Sequence, residues 1–331
     1  MLLEINNLTV AYSGIEAVKD ISFRLNENEI VGIVGESGSG KSTLLRSIIG
    51  LMDPNAEILN GEILLQGKDL VLERAENLRR VRGKTVATIF QYPEQSLDPL
   101  VKIKDAYYEC VRLHDGRVRR ADTEKRMYEL LRSLNFSDVE RVAEAYPFEL
   151  SGGMCQRATI GMAMMNNPKL LLADEPTSAL DVNSQLHVVE ELLSIRREYH
   201  TAILLVTHNM GLVAKMADKI GVMLDGHMVE FGLRDELLSS PMHVYTKALI
   251  GSVPKMDCSM PQLIRFEPSP ECECEREFCS DHHWYLREKC DNPGSVFVGR
   301  SQSKNEENND FRGLGALQDI QKEKLHGGGC K

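Results

Sequence analysis

Between Gly35 and Ser42 the chain reads Gly-Glu-Ser-Gly-Ser-Gly-Lys-Ser, directly after the apolar run Val31-Gly32-Ile33-Val34 and directly before Thr43-Leu44-Leu45-Arg46-Ser47-Ile48. This is the spacing of a phosphate-binding P-loop, G-x-x-x-x-G-K-[ST], in the strand-then-helix setting that such a loop requires. Phosphate oxygens crowd negative charge, so the backbone must bring several N–H groups close and aim a helix N-terminus at them. Glycines permit that approach because they carry no Cβ. Gly35, Ser37, Gly38, Gly40 and Thr43 are therefore expected to line a bound nucleotide. Lys41 is expected to reach its β- and γ-phosphates, and Ser42 to give one oxygen to Mg²⁺.

The rest of residues 1–250 keeps the same rhythm. Short β-branched or apolar runs, such as Ile30–Val34, Thr85–Phe90, Leu170–Ala173, Ala202–Val206 and Ile220–Leu224, alternate with longer amphipathic ones. That pattern predicts an α/β fold in which a sheet is covered by helices. From about Pro254 the periodicity is lost and prolines arrive with cysteines. We place one globular unit over residues 1–252, a Cys-rich extension over 253–299 and a flexible tail over 300–331.

A net charge of −10 argues against a long nucleic-acid track, which needs a concentrated basic face, so no nucleic-acid partner is expected. No apolar run approaches the ~20 residues of a membrane span, and the first residues lack the basic start and apolar block of an export signal. A cytoplasmic address is the expectation. The basic run Arg117, Arg119, Arg120, Lys125 and Arg126 reads as a solvated helix face, with contact to lipid headgroups or a membrane subunit as its alternative.

Three further motifs follow the loop in order. Leu170-Leu171-Leu172-Ala173-Asp174-Glu175 is an apolar strand ending in two carboxylates, the first suited to a Mg²⁺ shell and the second to activating water. Adjacent residues on a strand face opposite sides, so the two acids are expected to have different roles. Leu150-Ser151-Gly152-Gly153-Met154-Cys155-Gln156-Arg157 opens a helix whose N–H groups can meet a phosphate. Lys41 and its loop are already expected to hold this chain's own phosphates. His208 follows the strand-like run Ala202–Thr207.

The Leu150–Arg157 stretch resembles the LSGGQ signature of ATP-binding cassette (ABC) ATPases, and the resemblance extends over residues 1–250. It implies a P-loop cassette with a RecA-like core, an antiparallel β subdomain and a helical subdomain at about 92–160. Tyr12 then looks like the aromatic that stacks on adenine, and Gln91 like the Q-loop glutamine that reaches Mg²⁺ and attacking water. Ser178-Ala179-Leu180-Asp181 resembles the D-loop that crosses a dimer seam, and His208 the switch histidine that contacts the γ-phosphate. Glu175 is then the catalytic base, with Gln91 and His208 beside it, while Ser42, Gln91 and Asp174 organise Mg²⁺. Ser151, Gly153 and Asp181 would complete the site of a partner subunit, so that ATP joins two cassettes.

The short interval between Lys41 and Ser151 holds no long coiled coil, and the chain carries one cassette. A transporter ATPase whose membrane-spanning subunits are separate chains is therefore favoured over a soluble ABC ATPase working on ribosomes or DNA, the alternative. Ile89–Pro99, Tyr146–Leu150, Thr177–Val182 and Pro241–Leu249 are similar to the oligopeptide/dipeptide/nickel importer branch. That implies a peripheral subunit at the cytoplasmic face of the membrane, paired with an identical or a second ABC ATPase. It would dock under two permeases and work indirectly with an extracytoplasmic binding protein. Peptides and nickel or another metal chelate both stay open as cargo.

Of the eight cysteines, Cys110 and Cys155 are isolated and the other six lie in the last quarter of the chain. In a reducing compartment such crowding points to metal before disulfides. Cys272, Cys274, Cys279 and Cys290 would satisfy a [4Fe–4S] cluster or a zinc ion, with His282 and His283 as further zinc ligands.

Overall fold

The computed structural model describes residues 1–178, 180–252, 283–287 and 296–300. In chain order the strands are β1 (Leu3–Tyr12), β2 (Ile15–Leu25), β3 (Ile30–Val34), β4 (Ala56–Leu65), β5 (Lys68–Asp69), β6 (Val86–Ile89), β7 (Leu170–Asp174), β8 (Ala202–Thr207), β9 (Lys219–Leu224), β10 (His227–Leu233), β11 (His283–Arg287) and β12 (Val296–Arg300). The helices are α1 (Lys41–Ile48), α2 (Ala75–Val81), α3 (Pro93–Ser96), α4 (Ile103–Arg112), α5 (Arg120–Ser133), α6 (Val139–Glu144), α7 (Gly152–Met164), α8 (Val182–Tyr199), α9 (Met210–Met216), α10 (Arg234–Ser239) and α11 (Val244–Gly251). The chain divides into units Met1–Gly299 and Arg300–Lys331, and the description below concerns the first.

The β-rich start of the chain forms an antiparallel sheet in the order β2-β1-β4-β5. The second sheet runs β11-β10-β9-β3-β8-β7-β6, with β9, β3, β8, β7 and β6 parallel and β10 antiparallel to β9. Strand alternation decides what covers it. Ile30 and Val34 of β3, Leu171 and Ala173 of β7, and Ile203 and Leu205 of β8 feed one core, with α5, α7, α8 and α9. Val31, Ile33, Leu170, Leu172, Leu204 and Val206 point the other way, into a core shared with α1 and the antiparallel sheet. Both faces are covered, as a parallel sheet demands, and each fully buried aliphatic side chain contributes about 1.5–3 kcal/mol.

The interval assigned to a helical subdomain carries α3 to α7 and a short 3₁₀ turn at Pro147–Glu149. Tyr107 anchors it: the ring is fully buried and its hydroxyl donates to the Ala158 carbonyl of α7 at 2.6 Å. Most of the basic run is occupied within the chain. Arg119 pairs with Asp122, Arg120 with Asp105 and Glu124, and Arg126 donates to the Met164 and Met165 carbonyls and to Asn167. Arg126 thus joins α5 to the end of α7 rather than facing lipid.

Candidate nucleotide site

The candidate catalytic and metal-binding residues gather at the C-terminal ends of parallel strands. β3 runs into the loop from Gly35 to Gly40, Gln91 lies just past β6, Asp174 ends β7, and His208 follows β8. Ligands in open α/β sheets gather at this edge because the loops converge there and helices start there. Here those loops enclose a cleft of about 560 Å³ lined by Ala17, Ser37, Gly38, Gly40, Lys41, Ser42, Thr43, Gln91, Tyr92, Glu175, Ser178 and His208.

Two glycines in the loop are dictated by close approach. A Cβ on Gly35 would lie 2.2 Å from the Met223 carbonyl oxygen of β9. Gly40 has φ +97°, and a Cβ there would lie 2.2 Å from the Ala17 carbonyl oxygen of β2. Backbone oxygens cannot yield as side chains can, so only glycine fits at either position. Lys41 is drawn back over the loop, its ammonium donating to the Gly35 carbonyl (2.8 Å), the Glu36 carbonyl (2.7 Å) and Ser39 Oγ (3.3 Å). Burial lowers its pKa, opposed by the nearby carboxylates of Glu175, Asp174 and Glu36.

Asp174 has the same strand parity as Leu170 and Leu172, which places it on the α1 side of the sheet. Its Oδ1 accepts from Ser42 Oγ at 3.0 Å, so a carboxylate and a hydroxyl from distant parts of the chain share one point. Burial raises the Asp174 pKa, with the neighbouring Glu175 adding to the rise and the Ser42 hydroxyl opposing it. Two hard oxygen donors beside a phosphate loop fit Mg²⁺.

Glu175 departs from simple strand alternation. It lies past the end of β7 with φ +45°, a left-handed turn held by its own N–H donating to the Val206 carbonyl at 2.9 Å. Such a conformation costs a non-glycine residue of order 1–3 kcal/mol and re-aims the side chain. The two acids are thus separated by the turn rather than by the pleat. Glu175 Oε2 accepts from Gln91 Nε2 at 3.3 Å and lies 3.1 Å from His208 Nδ1. One carboxylate oxygen is the meeting point of three loops. In chemical terms, an ionised acid in this place can take a proton from a water held between Gln91 and His208.

Tyr12, at the end of β1, sits beside the same loop: its hydroxyl lies 3.4 Å from Thr43 Oγ1. Ser151, Gly153 and Asp181 do not line the cleft. Ser151 caps α7, accepting from the Met154 N–H at 3.3 Å, and is exposed. Asp181 caps α8 through the Ser184 N–H (3.1 Å) and hydroxyl (2.6 Å), and a Cβ on Gly153 would lie 3.4 Å from that same hydroxyl. The three residues therefore form a second group near the starts of α7 and α8. Cys272, Cys274, Cys279 and Cys290 lie outside the described residues.

The lining residues Ala17 and Tyr92 carried no recognisable chemistry as letters in the sequence. Ala17 matters through its position at the mouth of the loop, and Tyr92 through its place after Gln91. Tyr245 was also missed as part of the site: its hydroxyl accepts from the Glu36 N–H at 3.0 Å, across more than half the chain.

Residues 18–178 match the ABC transporter family profile, and residues 229–276 match the profile of the oligopeptide/dipeptide transporter C-terminal region. The dipeptide transport ATP-binding protein DppD of Lactococcus lactis is 38% identical over 81% of this chain and 78% of its own. The oligopeptide transport ATP-binding protein AppD of Bacillus subtilis is 40% identical over 79% of this chain and 81% of its own. Among solved structures, a dimeric ATP-binding cassette in a post-hydrolysis state bound to ADP and Pi matches with TM-score 0.62 and 28% identity, over 70% of this chain and 99% of that one. The structure of cbiO1 from Clostridium perfringens, part of the ABC transporter complex cbiONQ, matches with TM-score 0.63 and 25% identity, over 72% of this chain and 91% of that one.

Proposed function

Since this chain belongs to the ABC transporter family of ATP-binding subunits, we propose that it is the ATP-hydrolysing subunit of an importer for di- or oligopeptides, working through separate membrane subunits. The observation that carries this reading is the cleft itself. It gathers Lys41, Ser42, Gln91, Glu175 and His208, with Asp174 behind Ser42, around one cleft, while Ser151 and Gly153 stand elsewhere. The names of its relatives support the peptide cargo.

Phosphoryl transfer to water depends on positioning and charge neutralisation. Gly38, Gly40 and Thr43 would offer backbone N–H groups to the phosphates, with Lys41 neutralising their charge and Tyr12 covering the adenine. Ser42, Asp174 and Gln91 would hold Mg²⁺, which supplies charge stabilisation at the β- and γ-phosphates. Glu175 takes the proton of the attacking water, and His208 steadies Glu175 and the γ-phosphate. Each cassette lends Ser151, Gly153 and Asp181 to its partner, so ATP binding favours the closed pair and hydrolysis releases it.

Light scattering of a Glu175→Gln chain, with its natural partner ATPase added, tests the scheme: ATP is expected to convert single cassettes into pairs. Nucleotide binding without any pairing would overturn the shared-site arrangement. Among the described residues no helix is long and apolar enough to cross a membrane, which fits a subunit docked under two permeases at the cytoplasmic face. Loss of peptide uptake, and of no other uptake, in cells lacking this chain tests the cargo. We extend the reading to the extension over 253–299, whose Cys272, Cys274, Cys279 and Cys290 have the donor chemistry of a [4Fe–4S] or zinc site. Iron, sulfide and zinc analysis of the full chain purified without oxygen tests this, and a colourless, metal-free protein would overturn it.

A further inference from the structure

One peptide unit in the phosphate loop is gripped from both sides. The carbonyl of Gly35 accepts from Lys41 Nζ at 2.8 Å, and the N–H of the same peptide, on Glu36, donates to the Tyr245 hydroxyl at 3.0 Å. Rotating that peptide plane would break both bonds. It would also disturb the neighbouring Glu36 carbonyl, which is Lys41's shortest contact at 2.7 Å.

Tyr245 is itself set in place by a chain of buried polar contacts. Glu230 of β10, fully buried, accepts from the N–H groups of Met242 (3.0 Å) and His243 (3.0 Å). His243, also fully buried, accepts at Nδ1 from the Tyr245 N–H at 3.1 Å, which starts α11. Buried carboxylates and rings that satisfy backbone N–H groups fix a turn more rigidly than apolar packing does. Burial pushes the Tyr245 phenol up to about 12, so it stays neutral and keeps its proton. A second grip acts further along the loop, where the Gly226 N–H of the β9–β10 turn donates to the Ser39 carbonyl at 3.2 Å.

We propose that Tyr245 is a positioning residue for nucleotide binding: through the Glu36 N–H it holds the phosphate loop and Lys41 in the shape that receives the phosphates. The proposal rests on the nucleotide-site reading above. It assigns a task to the segment Pro241–Leu249, which lies within the stretch matching the oligopeptide/dipeptide C-terminal region. Preorganisation of this kind appears as affinity, because a loop already in place need not be ordered when ligand arrives.

The test compares two conservative variants of the full chain on the same helix. Tyr245→Phe removes the hydroxyl that accepts from the loop. Thr246→Val removes an equally buried hydroxyl which makes no hydrogen bond among the described residues. Equilibrium titration with ATP is expected to show Tyr245→Phe weakened about three- to tenfold, the worth of one ordinary hydrogen bond, and Thr246→Val within twofold of the parent. In the assembled complex the same loss is expected in KM for ATP, with kcat little changed, because Glu175, Gln91 and His208 do not touch Tyr245. Unchanged affinity in Tyr245→Phe would overturn the proposal. So would equal weakening in both variants, which would mean a general loosening of α11. Failure of the unsubstituted chain to bind ATP would overturn the nucleotide-site reading, and this one with it.

Discussion

Two helix starts in this molecule are built from the same materials and treated in opposite ways. Serine and glycine stand at the start of both, Ser39-Gly40 before α1 and Ser151-Gly152 at the opening of α7. The start of α1 is enclosed: Met223 and Ala17 oxygens press on its loop glycines, Tyr245 and Gly226 grip its peptides, and Asp174 meets Ser42. The start of α7 is exposed at Ser151, which accepts from the Met154 and Cys155 N–H groups of its own helix, with the Ser184 hydroxyl near Gly153. The difference is one of enclosure: the loop before α1 is held by contacts from three other elements, whereas Ser151 at the start of α7 is exposed. That asymmetry is what the proposed sharing of ATP between two cassettes requires.

The sharpest way to break the comparison is to leave both helix starts intact and remove the chemistry between them. Glu175→Gln is expected to lower ATP hydrolysis by about 10²- to 10⁴-fold in the assembled transporter, with ATP affinity of the isolated chain preserved. Retained turnover would remove Glu175 from its role and with it the meaning of the Gln91 and His208 contacts. Next come substitutions at the two starts themselves. Lys41→Ala is expected to weaken ATP binding by the isolated chain roughly ten- to a hundredfold, the range for a charge-assisted contact, whereas Ser151→Ala should leave that binding unchanged and slow hydrolysis only in the pair. If Ser151→Ala weakened binding by the isolated chain, the exposed start would belong to the same site after all.

A stability measurement sharpens the enclosed side. Gly40→Ala places a methyl group against the Ala17 carbonyl at a positive φ, so it should destabilise the folded chain by about 2–3 kcal/mol in chemical denaturation. A cost near zero would show the loop to be loosely held.

The smallest effect concerns the exposed side. Beneath α7, Glu191 of α8 is buried near Arg157, whose guanidinium stacks 4.5 Å from the Phe136 ring centroid. Burial pushes the Glu191 carboxyl up to about 8. Between the ordinary carboxylate value and about 8 the unfolded chain is ionised there while the folded chain keeps the proton, so this group makes stability fall as pH rises through that window. Glu191→Gln has no proton to lose and should be more stable than the parent by about 1–2 kcal/mol at pH 8, with the difference vanishing near pH 4.5. A gap that does not change with pH would show that Glu191 is ionised in the fold.

Much of this was legible in the letters. The P-loop spacing announces a strand, a close backbone approach and a helix start, and β3, the loop and α1 follow in that order. The parity of Leu170, Leu172 and Asp174 even gives the side on which Asp174 meets α1. Alternation alone would set Asp174 and Glu175 on opposite faces of β7, but it stops where the strand stops, at Asp174. A left-handed residue after β7 depends on the Val206 carbonyl of the next strand, which no local pattern encodes.

What the sequence determined by itself is the set of short-range facts: the strand and helix periods, the glycines of the loop, and the order of its charged and hydroxyl groups. These are local because steric freedom and burial preference act over a few residues. Only the tertiary structure decided that Tyr245 closes on Glu36 and that Gln91 and His208 converge on one oxygen of Glu175. Such meetings depend on how packed elements bring distant segments within about 3 Å, and a hydrogen bond is too short-ranged to be inferred from position along a chain.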